Sequence, residues 1–174
     1  MGHRRIFRYL VEGKCEKILV ESLQKMEYIE PGAIEIFNVV GHCLPQRKLY
    51  SLQPNTIIVM IFDTDTTQID ILKDNISLLK AHRKRVRQIL CIPQVQNLEE
   101  ELKRSCSLTD LRNLFGSKSE KDFKRDLIKC SNLGQALRNH SFSIEAFWSS
   151  KPTGIFCQFQ NESSIIKKRM GKTK

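Results

Sequence analysis

Short apolar runs alternate with stretches of helical periodicity in the first half of the chain. Four runs are rich in β-branched and aromatic residues and predict strands over residues 5–11, 33–40, 56–62 and 86–92. Between them, apolar residues spaced three to four apart predict one helix from Cys15 to Met26 and another from Ile69 to Leu79. Residues 42–55, interrupted by two prolines, predict a loop.

The order of these elements predicts the fold class. The run over residues 56–62 is the most hydrophobic and shows no alternation, as expected for a central parallel strand covered on both faces. Strand, helix, strand, strand, helix, strand with short connections indicates an α/β fold, with a mostly parallel, Rossmann-like four-stranded sheet flanked by helices. Beyond Gln96 the pattern predicts only helices, over residues 98–106, 109–115 and 119–130, the last two preceded by capping boxes at 107–110 and 119–122.

We expect one domain with three parts. Residues 5–105 form the α/β core, residues 106–160 a helical C-terminal extension packed on the same core, and residues 161–174 a basic flexible tail. The chain of 174 residues is 40% hydrophobic and 28% charged, which is sufficient for a single buried core and too apolar for a disordered protein. No apolar run approaches the roughly 18 residues of a membrane helix, and the basic N-terminus lacks a signal-peptide cleavage site. A cytoplasmic location without membrane contact is expected.

The six cysteines do not indicate a metal site. No two of them lie in a Cys-x-x-Cys spacing, so a zinc ribbon or finger is disfavoured. A cytosolic chain with this much apolar core does not need three disulfides, and most of the cysteines are expected to be small buried hydrophobic residues.

Positive charge is concentrated in clusters. The net charge of +10 includes a dense run from His82 to Arg87 and a second run from Lys167 to Lys174. Such surfaces attract phosphate polyanions by releasing counterions. Alternatively, these basic runs form a solubilising face or a disordered tail. The expected partner is a nucleic acid, either RNA or DNA. The candidate phosphate-binding residues are Lys14, Arg83, Lys84, Arg85 and Arg87.

Acidic residues follow two of the predicted strands. Glu12 comes directly after the first strand, and Asp63 and Asp65 come directly after the central one. The carboxyl ends of parallel strands line the crevice in which ligands bind, and residues two apart on an extended segment point to the same side. Carboxylates gathered there repel one another unless a cation joins them, and oxygen ligands suit Mg²⁺ or Mn²⁺. Taken singly, each motif is also typical of a turn or a helix cap.

These two motifs resemble those of the Toprim domain, the catalytic module shared by topoisomerases, primases and several nucleases. A strand ending in Glu-Gly is matched by Tyr9-Leu10-Val11-Glu12-Gly13, and a strand ending in Asp-x-Asp by Ile61-Phe62-Asp63-Thr64-Asp65. The sequence is most similar to the branch with the OLD (overcoming lysogenization defect) and RloB-like nucleases, whose first motif reads Glu-Gly-x-Thr-Glu. Glu16 fits this motif, and Cys15 departs from it at the Thr position. A further acidic residue of that branch falls on Glu99 or, as second choice, Glu100.

The resemblance implies a Toprim-like core and a Mg²⁺-dependent or Mn²⁺-dependent endonuclease that hydrolyses phosphodiester bonds. It assigns catalytic roles to Glu12, Glu16, Asp63 and Asp65, and metal ligation to Glu12, Asp63, Asp65 and Glu99. In the family, the residue equivalent to Glu12 is also proposed to act as general base or acid. Glu16 either completes a second metal site or complements the dipole of the helix that it begins.

Features absent from the sequence narrow the choice within the family. Tyrosine-nucleophile, zinc-binding and P-loop ATPase modules are all missing, so a stand-alone Toprim nuclease is expected. The RloB-like branch is associated with bacterial phage defence, which implies a possible partner ATPase or sensor protein; a homodimer is also possible. Alternatives are an RNA-processing Toprim ribonuclease, although Thr66-Thr67-Gln68 does not match its glycine-containing turn, and a non-catalytic nucleic-acid-binding protein. A small-molecule enzyme is disfavoured because no Gly-x-Gly-x-x-Gly follows the first strand.

Overall fold

A four-stranded parallel sheet forms the centre of the protein. The computed structural model describes residues 5–168. Strand β1 (Ile6–Val11) pairs with β2 (Gly32–Ile36) on one side and with β3 (Thr56–Asp63) on the other, and β3 pairs with β4 (Val86–Gln94). The strand order β2-β1-β3-β4 with all pairs parallel confirms the α/β fold class predicted from the sequence.

Helices connect the strands and continue beyond them. In chain order they are α1 (Lys14–Lys25), α2 (Gln46–Tyr50), α3 (Asp70–Ala81), α4 (Leu98–Ser105), a 3₁₀ turn (Leu111–Leu114), α5 (Glu120–Lys129), α6 (Leu133–Asn139), a second 3₁₀ turn (Gly154–Gln158) and α7 (Ser163–Ile166). None of those in the described part of the chain is long and apolar enough to cross a bilayer.

The two faces of the sheet bury two separate apolar clusters. Alternate residues of β3 divide between them, with Ile57, Val59 and Ile61 on one face and Ile58, Met60 and Phe62 on the other. This double burial explains why the segment lacks hydrophobic alternation. The first cluster continues without a break into residues of α5, α6 and the segment after them, including Phe123, Leu137 and Trp148, so the C-terminal part packs on the same core as the sheet.

Four local predictions differ from the structure. Strand β2 ends at Ile36 rather than residue 40, because the Asn38 side chain accepts hydrogen bonds from the amides of Val40 and Gly41 and closes a turn there. The predicted loop 42–55 contains α2. The predicted helix 109–115 is only a 3₁₀ turn, capped by Asp110 instead of the predicted Ser107. Beyond α6, residues 140–162 form turns and the second 3₁₀ turn rather than α-helix. The capping box at Ser119 is confirmed, since its hydroxyl accepts from the amide of Asp122 and donates to that carboxylate.

The end of the described chain is tied to the segment before β2. Ile166 is fully buried, Lys167 forms an antiparallel bridge with Ile29, and the amide of Lys168 donates to the Tyr28 carbonyl at 2.9 Å. The flexible tail predicted from residue 161 is therefore not found over residues 161–168. Residues 169–174, the rest of that prediction, lie outside the described residues.

Candidate active site

Polar side chains from all four strand ends meet at the carboxyl edge of the sheet. Glu12 follows β1, Asn38 follows β2 by two residues, Asp63 is the last residue of β3, and Gln94 is the last residue of β4. The parallel register pairs Asp63 directly with Gln94. The carboxyl edge of an open parallel sheet is the usual place for a ligand site, which makes this group the first candidate.

Glu12 is fixed by its neighbours on both sides. Its Oε1 accepts a hydrogen bond from the side-chain amide of Asn38 at 3.0 Å, and its Oε2 lies 3.5 Å from the backbone nitrogen of Asp63. Asn38 is in turn oriented by its bonds to the backbone of the turn that follows β2. The β1, β2 and β3 ends are thus joined through one carboxylate.

Asp63 is the carboxyl group at this edge whose pKa is raised the most. Its Oδ1 accepts from the Gln94 amide at 2.7 Å. The pKa of Asp63 is raised to about 8: burial is the largest cause, the nearby charges of Glu12 and Glu16 add to it, and the hydrogen bond from Gln94 opposes it. Gln94 is 1% exposed, and its own Oε1 has no hydrogen-bond partner within residues 5–168. A buried acceptor without a donor is uncommon and calls for a positively charged or hydrogen-bonding partner.

Glu16 belongs both to this group and to the start of α1. Burial raises its pKa, the backbone amides of Glu16 and Gly13 lower it, and the charges of Glu12 and Glu99 raise it. A side chain at Gly13 would place its Cβ 3.0 Å from the Glu16 carboxylate, so the carboxylate folds back over the first turn. Both of the roles expected for Glu16 are therefore compatible with its position.

Asp65 stands at the solvent side of the group. It is exposed, and its charge contributes to the raised pKa of Glu12, for which burial is the largest cause. The adjacent Thr64 holds this loop in place, because its backbone nitrogen and its hydroxyl both donate to the Gln94 carbonyl, at 3.2 Å and 3.0 Å. We refer to Glu12, Glu16, Asp63 and Asp65 as the carboxylate cluster.

Glu99, rather than Glu100, faces the carboxylate cluster. Its Oε1 lies 2.8 Å from the ammonium of Lys124 on α5, and its charge raises the pKa of Glu16. Glu100 instead pairs with Lys103 on its own helix at 2.7 Å. The charge of Lys124 lowers the pKa of Glu12, so this lysine is a counter-cation for the cluster. An open cavity of about 610 Å³ is lined by Glu99, Glu100 and Lys124, but by none of the four residues of the carboxylate cluster.

The carboxylate cluster fits a divalent cation in donor type and charge, but not as a finished coordination shell. Within the described residues, no group of three or more His, Cys, Asp or Glu side chains is arranged to hold a metal ion. The donors present are carboxylate oxygens and the unpartnered amide oxygen of Gln94, which are the hard ligands that Mg²⁺ and Mn²⁺ prefer. A bound cation would offset the repulsion that raises the pKa of Asp63.

The predicted phosphate-binding residues are divided between two ends of the molecule. Lys14 is exposed two residues after Glu12, beside the carboxylate cluster. Arg83, Lys84, Arg85 and Arg87 surround the beginning of β4, whereas the cluster lies at its end. The eight residue steps of β4 correspond to about 26 Å. The structure therefore does not bring this basic run to the carboxylates.

Three residues of the site are absent from the sequence-based prediction: Asn38, Gln94 and Lys124. Asn38 and Gln94 stand at the ends of β2 and β4, but the strands predicted over residues 33–40 and 86–92 placed Asn38 inside a strand and Gln94 two residues beyond one. Lys124 comes from a helix far along the chain, and no local pattern links it to Glu99.

Comparison of the chain with protein-family models, with curated proteins and with solved structures gave no match. The resemblance to Toprim nucleases is thus carried by the two short motifs at residues 9–13 and 61–65 and by the acidic residues near them.

Proposed function

We propose that the protein is a divalent-metal-dependent nuclease that hydrolyses phosphodiester bonds of RNA or DNA. The observation that carries this proposal is that the Glu12 carboxylate lies 3.5 Å from the backbone nitrogen of Asp63, at the ends of neighbouring strands, where Gln94 donates to the Asp63 carboxylate. Burial is the largest cause of the raised pKa of both carboxyl groups, and neighbouring carboxylates add to it, Asp65 for Glu12 and Glu12 with Glu16 for Asp63. Raised pKa values of this kind are common at functional sites.

Each residue has a definite task in this proposal. Glu12, Asp63 and Asp65 would hold the metal, with Glu99 at the α4 side and Gln94 as a neutral oxygen donor. When bound, Mg²⁺ or Mn²⁺ stabilises negative charge on a phosphate and favours ionisation of water. Asn38 and the Asp63 amide orient Glu12, either as a ligand or as a general base or acid. Lys14 and Lys124 would contact the substrate phosphate.

The biological setting follows only from the resemblance. A stand-alone nuclease of the RloB-like kind would act in the cytoplasm as a phage-defence effector, with a partner ATPase or sensor controlling it. An RNA-processing ribonuclease would use the same carboxylate cluster. Both roles require metal-dependent cleavage, so cleavage is the property to test first.

A second candidate is a nucleic-acid-binding protein without catalysis. It is favoured by the absence of a ready three-ligand metal site among residues 5–168 and by the distance between the basic run and the carboxylates. In that case the carboxylate cluster would bind at most a structural ion.

The double variant Asp63→Asn, Asp65→Asn distinguishes these functions. Wild type and variant are incubated with mixed RNA and DNA substrates in Mg²⁺, Mn²⁺ or EDTA, and products are separated by size. The matched control is Asp70→Asn, Asp74→Asn, which removes two exposed carboxylates from α3. We expect metal-dependent cleavage in wild type and control and at least a 100-fold loss in the double variant. Equal cleavage in all three proteins would exclude the nuclease proposal, and binding without cleavage by wild type would favour the second candidate.

A further inference from the structure

An exposed aromatic ring and four cations share the amino edge of the sheet, opposite the carboxylate cluster. Tyr50 is the last residue of α2, and the turn over residues 82–85 leads from α3 into β4. The two segments are joined because the Arg85 guanidinium donates to the Leu52 carbonyl at 2.6 Å. We call this surface the amino-edge patch; it consists of Tyr50, His82, Arg83, Lys84, Arg85 and Arg87.

The positive charge of the amino-edge patch is not neutralised. The two segments that build it, residues 36–62 and 75–98, contain no Asp or Glu. Arg83, Lys84 and Arg87 are exposed, and neither they nor Arg85 form an ion pair within residues 5–168. Arg8 and Lys48, by contrast, are both paired with Glu35. An unpaired cluster of this density attracts a polyanion.

Tyr50 provides a fixed aromatic face within this charge. Its exposed fraction, 62%, is the largest among the exposed large hydrophobic side chains of the described residues. Its ring meets the His82 ring edge to face, with centroids 6.1 Å apart and an interplanar angle of 73°. His82 is itself held by the Leu78 carbonyl, 2.9 Å from its Nδ1. The tyrosine ring is therefore supported from one side and open to solvent.

We propose that the amino-edge patch binds single-stranded nucleic acid, with a base stacked on Tyr50 and the flanking phosphates on Arg83, Lys84 and Arg87. Positive charge alone would attract any polyanion. Sites for single strands combine such charge with an exposed aromatic ring on which a base can stack. A duplex keeps its bases stacked inside and gains nothing from the ring. An anionic membrane would need more than one exposed apolar side chain for stable insertion.

This inference shares only the class of partner with the proposed nuclease. The amino-edge patch lies about 26 Å from the carboxylate cluster along β4, so binding there requires neither a metal nor the carboxylates. Binding can therefore be measured in EDTA, where no metal-dependent cleavage occurs. Loss of the patch and loss of the catalytic site are separable by experiment.

The test is fluorescence anisotropy with labelled 20-nucleotide oligo-U RNA, oligo-dT DNA and a duplex of the same length, all in EDTA. We expect Tyr50→Ala to raise the Kd for single strands at least about fivefold, as loss of one stacked base does. Tyr50→Phe keeps the ring and should bind within twofold of wild type. Ile128→Ala, which truncates a 40% exposed side chain on α5, is the matched control and should leave the Kd unchanged.

Charge reversal tests the phosphate contacts separately. In Arg83→Glu, Lys84→Glu, the slope of log K against log salt should fall by about 1.4, since each single-strand phosphate contact contributes roughly 0.7. The control Lys129→Glu, Arg138→Glu, two exposed cations on α5 and α6, should change the slope by less than half that amount. An unchanged Kd in Tyr50→Ala, equal wild-type affinity for the duplex, or tighter binding to phosphatidylserine vesicles than to either single strand would overturn the proposal.

Discussion

The side-chain nitrogen of Gln94 lies 2.7 Å from Oδ1 of Asp63, which joins the last residues of two neighbouring strands by a hydrogen bond. The other end of the same amide is buried and unpartnered. One glutamine therefore donates to a carboxylate whose pKa is raised and keeps a buried oxygen without a donor within residues 5–168.

Gln94→Leu tests this double role. The substitution removes the donor to Asp63 and the free oxygen while keeping the volume of the side chain. We expect Mn²⁺ affinity, measured by titration calorimetry, to fall about tenfold, as is typical when a residue supporting a metal ligand is lost. Gln88→Leu, at the exposed beginning of the same strand, is the control. If Gln94→Leu and wild type bind Mn²⁺ with the same Kd, Gln94 is not part of the metal site.

Asn38→Asp should make the stability of the protein more dependent on a bound metal ion. The new carboxylate retains the acceptor for the Val40 and Gly41 amides but replaces the donor to Glu12 with a like charge. We expect the free energy of unfolding in EDTA at pH 8 to fall by about 1–2 kcal/mol, and Mg²⁺ to restore most of it. Denaturant titrations with and without Mg²⁺ provide the measurement. The control Asn139→Asp, at the exposed end of α6, should leave the free energy of unfolding unchanged both in EDTA and in Mg²⁺.

The raised pKa of Asp63 predicts the pH dependence of stability without metal. The folded state binds this proton more tightly than the unfolded chain, so the stabilising effect of the protonated form is complete below the unfolded pKa of about 4. It is lost as pH rises toward the folded pKa of about 8. Asp63→Asn, which stays neutral, should therefore unfold at least about 2 °C above wild type at pH 9 in EDTA. The difference should shrink toward pH 4; a difference that does not vary with pH would contradict the assigned cause.

Lys124→Met should increase metal affinity. The Lys124 ammonium pairs with Glu99 and lowers the pKa of Glu12, so it competes with any cation for the same negative charge. We expect the Kd for Mn²⁺ to fall about two- to fivefold at low ionic strength, with a smaller change at high salt. Lys121→Met, on the exposed surface of the same helix, is the comparison. Weaker Mn²⁺ binding in Lys124→Met would show that the lysine assists the ion instead.

Glu101 has a structural role despite its place in the acidic run 99–101. It is fully buried, accepts from the Val95 amide at 2.9 Å and the Trp148 amide at 3.0 Å, and pairs with Arg104. Glu101→Gln places an amide donor against backbone donors and removes the charge opposite Arg104. We expect a loss of about 3 kcal/mol in the free energy of unfolding by denaturant titration. Glu100→Gln, which breaks only the surface pair with Lys103, should lose no more than about 1 kcal/mol.

The parts of the site that sequence could predict are those encoded locally. The apolar run of β3 and the Asp63-Thr64-Asp65 turn that follows it are read directly along the chain, because burial on both faces imposes a continuous run. The contribution of Gln94 depends on which strand lies beside β3 and in which register, which spacing along the chain does not determine. Lys124 reaches the site through packing of α5 on α1, between segments a hundred residues apart.

The position of the basic run could have been predicted more fully than it was. A segment that precedes a parallel strand must lie at the amino edge of the sheet, and a carboxylate that follows one must lie at the carboxyl edge. Residues 83–87 and Asp63 therefore belong to opposite edges as soon as the sheet is predicted to be parallel. The pairing of Tyr50 with His82, by contrast, depends on α2. Because two prolines interrupt residues 42–55, the sequence predicts a loop there instead of this helix.

The bridge between Ile29 and Lys167 has a consequence for biogenesis. Contacts across 138 positions cannot form until the later partner has been synthesised, so a nascent chain carries β1 to β4 for some time without them. During that interval the ribosome-bound intermediate exposes apolar surface that Ile166 later covers. Translation must pass residue 167 and release it from the exit tunnel before this protein can complete its native state.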